Sequence, residues 1–118
     1  MVLFDDFYTS SMDTFSFVKY LFELLEYKDK LNFRLINLAS SEVCNKAVFI
    51  EKIAKVFGFK LNNFELGSIH SIKESRRAES LGLDVAKVEN FLKKPMPTTD
   101  KVINTIYKKW EENDKNKQ

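Results

Sequence analysis

Apolar and polar residues change spacing several times along the chain, and each change marks an element. Val2–Phe4 is a short apolar run stopped by Asp5 and Asp6, which predicts the end of a strand. From Phe17 the apolar residues Phe17, Leu21, Leu24 and Leu25 recur at helical spacing, with Lys19, Glu23, Glu26 and Lys30 on the opposite face. That pattern predicts a helix over 17–28, capped by Ser16 or by its rival Asp13. The run FRLINL at 33–38 is short, β-branched and apolar on both faces, which predicts a strand buried in a parallel sheet. A polar turn, Ala39 to Glu42, leads to Asn45, a good N-cap for a helix over 46–57 that faces inward with Phe49, Ile50, Ile53, Val56 and Phe57. Gly58 stops it, where the backbone must adopt positive φ.

Residues 59–82 read as irregular and polar. Asp84 then caps a short helix whose Val85, Val88, Phe91 and Leu92 face inward, and Pro95 and Pro97 end it. Thr98 or Thr99 caps the last helix, with an expected buried stripe of Val102, Ile103, Ile106, Tyr107 and Trp110. The fold class is α/β: a small domain of two or three short strands with about four helices. Residues 1–110 form one domain, and 111–118 a charged, frayed tail.

Composition narrows the classes. In 118 residues, 44% are hydrophobic and eleven are Phe, enough to build a core. Nineteen basic against seventeen acidic residues alternate along the chain without a basic stripe, which argues against nucleic acid. No run reaches the roughly 18–20 apolar residues of a membrane span. The N-terminus has no basic, then apolar, leader pattern, and one cysteine suits a reducing compartment, so the cytoplasm is the expectation.

Chemistry is sparse. With Gly only at 58, 67 and 82, no glycine-rich dinucleotide loop or P-loop can be written. No tyrosine has a lysine four residues later, so the Y-x-x-x-K acid–base pair is absent. His70 and Cys44 read as a solvated loop residue and a small half-buried hydrophobe, and no spacing suits a metal. Asp5 and Asp6, adjacent on a strand, point to opposite faces and share no proton. Arg76 and Arg77 are the most informative pair. A guanidinium grips a phosphate through two parallel hydrogen bonds, and this pair sits on a loop before a short helix. The ordinary alternative is a surface pair balanced by Glu74 and Glu79.

The order of these segments resembles a known family. FRLINLASSEVCNKAVFIEKIAKVFGF resembles the strand, small-residue turn and capped helix near the C-terminus of extended short-chain dehydrogenase/reductases, with Asn45 at the capping position. RRAESLGLDVAKVENFLKKPMPT resembles their segment of arginine, Leu-Asp and lysine, with Arg77, Leu83, Asp84 and Lys87 matching and Pro97 before the last helix. LFDDFYTSSMDTFSFVKYLFELLE is similar to an upstream stretch that matches at Asp5 and Asp6. Ala78, Leu81 and Ser16 depart from the family's usual residues.

Within that family the nearest likeness is to dTDP-4-dehydrorhamnose reductases. The resemblance implies a substrate-side segment without the cofactor-binding and catalytic half, in which Arg77, or Arg76 if the register slips, contacts the diphosphate of a nucleotide-sugar. It implies NADPH for the full-length family and no cofactor or independent catalysis for this chain. Its expected partners are a nucleotide-sugar and either the missing Rossmann half or a second copy. The rival reading is a free-standing protein-interaction module with no ligand.

Overall fold

The computed structural model describes residues 1–74 and 76–117. It is a small mixed α/β domain. Its elements are β1 (Val2–Phe4), β2 (Tyr8–Thr9), α1 (Thr14–Glu26), β3 (Cys44–Asn45), α2 (Lys46–Phe57), β4 (Glu65–Gly67), β5 (Ser80–Leu81), α3 (Ala86–Leu92) and α4 (Thr99–Asn116). The strands form two small sheets. β1 runs parallel to β4, and β2 lies between antiparallel β3 and parallel β5.

Capping chemistry accounts for most helix ends. Asn45 Oδ1 accepts from Val48 N at 2.8 Å, and Gly58 closes α2 at φ 71°, a conformation that suits glycine. The expected Asp84 cap is shifted: the N-cap position of α3 is Val85, without a side-chain bond, and Asp84 Oδ1 accepts from Ala86 N at 2.9 Å just ahead of it. Thr98, of the two threonines, caps α4 by accepting from Lys101 N. At α1 the cap is Asp13, whose Oδ1 accepts from Ser16 N at 2.7 Å. Ser16 is thus inside the helix, which starts three residues earlier than expected and ends at Glu26, before a short 3-10 turn at Lys28–Lys30.

Other expectations are corrected. The 59–82 stretch contributes β4, β5 and a 3-10 turn, Ile69–Ser71, so the described residues form five short strands rather than two or three. β4 approaches β1 closely: a Cβ on Gly67 would sit 2.5 Å from Val2 Cγ1, so the pairing favours glycine there. α4 runs on to Asn116, through positions expected to fray. On α4, Val102 and Ile103 are buried, but Trp110 is nearly half exposed and packs one face on Phe57 with a centroid separation of 5.4 Å.

Two departures are larger. The 33–38 run joins no strand. Long-range bonds hold it instead: its own Asn37 Nδ2 donates to Asp84 O, and Lys87 Nζ donates to Leu35 O. Leu35 is 75% exposed. The second departure is α1, which turns the wrong face inward. Leu24 is buried and Tyr20 and Glu23 are half-buried, whereas Phe15, Phe17, Val18, Leu21, Phe22 and Leu25 face outward. The inward setting is fixed by the Asp13 cap and by the Glu23–Lys94 ion pair at 2.6 Å.

The core is correspondingly small. Leu24, Ala39, Val85, Val88 and Met96 form its buried centre, with Ile36, Leu38 and Phe91 packed around it. Total exposed surface is 8772 Å², against roughly 6,600 Å² for a compact monomer of this mass. The radius of gyration is 16.9 Å and the extents are 51 × 45 × 21 Å, a slab rather than a sphere; a compact chain of this length would have a radius near ~13–14 Å.

Replacing buried Met96 by Ala is expected to destabilise the fold by about 2–4 kcal/mol in urea unfolding. Leu35→Ala should change it by less than about 0.5 kcal/mol.

Candidate functional site

The loop between β4 and β5 carries the cationic residues singled out in the sequence, and the N-terminal segment pins it at both ends. At the near end, Asp6 accepts from the Ser68 hydroxyl and, at 2.9 Å, from Ile69 N, anchoring the 3-10 turn that presents His70. These two bonds, the Ser68 one foremost, hold the Asp6 carboxyl below its ordinary value. At the far end, Tyr8 N donates to Glu79 O at 2.8 Å and β2 pairs with β5. His70 Nε2 lies 2.8 Å from Glu79 Oε1 and closes the loop on itself.

Between these anchors Ile69, His70, Ile72, Arg76, Arg77 and Ala78 line an open cleft of about 500 Å³. Both arginines thus line the same cleft. The single histidine stands with them. His70 was missed as a site residue because a lone loop histidine carries no pattern; its one sequence signal is that it shares a Gly- and Pro-free loop with the arginines. Glu79, expected to balance the arginines, is within hydrogen-bond reach of His70 instead. The cleft offers planar bidentate donors beside apolar Ile72 and Ala78, suited to an oxyanion attached to a partly apolar body.

Of the positions that carry the family resemblance, Arg77 lines this cleft and Asp6 anchors its loop, while Asp84 and Lys87 lie elsewhere. Leu35, Asn37, Asp84 and Lys87 line a hollow of about 200 Å³. Asn37 donates to the Asp84 carbonyl at 3.0 Å and Lys87 to the Leu35 carbonyl at 3.1 Å. Here these residues act as stitching between segments roughly fifty residues apart.

Cys44 is half-buried in β3, and burial pushes its thiol up from the usual value. His70 is on a different loop and exposed, with nothing pairing it to Cys44. Among the described residues no group of three or more His, Cys, Asp or Glu could hold a metal, and no helix is long and apolar enough to cross a membrane. The three glycines do not form a nucleotide cradle: Gly58 ends α2, while Gly67 and Gly82 lie against Val2 and Val43. These glycines thus do not supply the turn on which a dinucleotide's pyrophosphate rests.

Compared with known proteins, the chain matches no family model, no curated protein and no solved structure.

Two outcomes are expected. The Asp6 clamp should be full above the ordinary aspartate range near pH ~4 and fail as pH falls through its depressed value. The protection of the Ile69 and His70 amides, relative to the intrinsic exchange rate at each pH, should fall there, and Asp6→Asn should show the reduced protection at neutral pH. Cys44 should alkylate several-fold more slowly than a free thiol at mildly alkaline pH, because less of it is thiolate.

Proposed function

We infer that this chain is the substrate-side segment of a sugar-nucleotide reductase or epimerase of the dTDP-4-dehydrorhamnose reductase-like kind, and that it grips the diphosphate of a nucleotide-sugar. The observation that carries this is the cleft in which Arg76, Arg77 and His70 stand together. Its volume lies within the roughly 300–1,000 Å³ range of small-molecule sites. A diphosphate brings two or more charges to two guanidinium forks, each worth about 1.5–3 kcal/mol when hydrogen-bonded to a charged group.

Two further features support the same reading. The outward apolar stripe of α1 and the unpaired 33–38 run are what a segment presents when it is built to lie against another half. The run has strand composition without a strand neighbour, and the helix has an apolar face without a cover. In this reading the other half brings NADPH and the acid–base pair, and this chain binds and orients the sugar-nucleotide. The same apolar stripe also favours a second reading, a protein-interaction module with no small ligand.

Calorimetry with dTDP-glucose and UDP-glucose separates them. Saturable binding of either, weakened by at least about tenfold in Arg77→Ala, supports the first reading. Unchanged affinity in that variant removes Arg77 from the site. No heat and no melting shift with either probe leaves the interaction module.

A further inference from the structure

A second concentration of positive charge lies away from the arginine cleft, between α1 and α4. One face of α4, formed by Lys101, Asn104, Thr105 and Lys108 at helical spacing, looks across a groove at Ser16, Lys19 and Tyr20 of α1, with Pro97 at one end. The groove is about 420 Å³ and no carboxylate lines it. Lys101 and Lys108 lie two turns apart, about 10 Å along the axis, with Lys19 on the facing helix.

What sets this groove apart is where the neighbouring acids have gone. Glu23 is paired with Lys94, Asp100 with Lys52 and Glu112 with Lys109, each within 3.1 Å. Glu111 accepts from the Tyr107 hydroxyl. Asp13 is buried at the α1 cap, with one oxygen on Ser16 N. Glu26 and Asp114 sit near the C-terminal ends of their helices. Among the described residues, Lys19, Lys101 and Lys108 thus line one groove that no carboxylate lines, while Glu23, Asp100, Glu111 and Glu112 are paired elsewhere and Asp13 keeps its second oxygen buried without a partner. In a chain whose charges otherwise alternate to a net +2, three cations lining one groove raise its potential, which an anion lowers.

We propose that this groove binds a small phosphorylated ligand. The three ammonium groups supply charge, and the Ser16 and Tyr20 hydroxyls and the Asn104 amide supply directed donors. The Tyr20 ring holds Lys19 Nζ 5.4 Å from its centroid, which keeps that ammonium group beside the groove. Three cations in one groove fit one or two phosphate groups. A nucleic-acid backbone would need a longer track of them.

Residue-resolved NMR titration with inorganic pyrophosphate tests the proposal. Saturable shifts are expected at the amides of Lys19, Tyr20, Asn104 and Thr105, and sodium chloride at matched ionic strength should not reproduce them. Lys101→Gln combined with Lys108→Gln should weaken this response at least about tenfold, while Lys101→Arg with Lys108→Arg retains it. Arg77→Ala should leave these shifts unchanged, so the result is independent of the arginine cleft. Non-saturating shifts, an equal response to sodium chloride, persistence in the double Gln variant or loss in Arg77→Ala overturns the proposal. So does preferential capture of a single-stranded oligonucleotide with a steep salt dependence.

Discussion

The fold depends on how one strand-like segment is held without a sheet. Between Leu35 and Glu42 the chain is buried only at Ala39 and Ser40, and distant groups bond several of its polar atoms. Lys87 meets the Leu35 carbonyl, Asn37 meets the Asp84 carbonyl, and Ser41 N donates to Pro97 O at 3.0 Å. Glu42 accepts from Thr99 N at 2.9 Å. A net contribution of about 1 kcal/mol from each neutral bond, and somewhat more where a charge takes part, makes this stitching comparable to the apolar packing beside it. Ala39 and Leu38 deliver the segment to Val88 and Met96, so the same residues align α3 and α4.

Most of the helix boundaries were legible because they are set locally. Asn45, Gly58 and Asp84 act on backbone groups within a turn of themselves, and no distant residue is needed to read them. The faces were not legible to the same degree. The spacing of Phe17, Leu21, Leu24 and Leu25 reports an apolar face, but not which body covers it, and only Leu24 is buried here. The same holds at 33–38. Composition predicts a strand, while pairing requires a neighbour that periodicity cannot supply. The two-residue strands β2, β3 and β5 lie below the length at which alternation carries any signal.

At the arginine loop, the residue types were visible and their place on one cleft was not. Two adjacent arginines offer planar donors of a kind that suits an oxyanion, and the same pair also serves as an ordinary surface pair. Their alignment with His70 depends on Asp6 and Tyr8, more than sixty residues upstream, which fix the two ends of the loop. The site is therefore assembled by the N-terminal segment, whose carboxylate serves as a loop anchor rather than as an acid or base. Tertiary hydrogen bonds of this reach leave no local imprint on spacing.

The slab form, 21 Å in its thinnest direction, has a thermodynamic consequence. A layer this thin hides little apolar surface from water, so its unfolding should carry a heat-capacity increment below the roughly 1.5 kcal/mol/K of a compact chain of equal length. The resulting free-energy curve is broad and shallow in temperature. Whatever covers a face of the slab would then raise both its height and its curvature, making the covered and bare forms distinguishable by calorimetric shape alone.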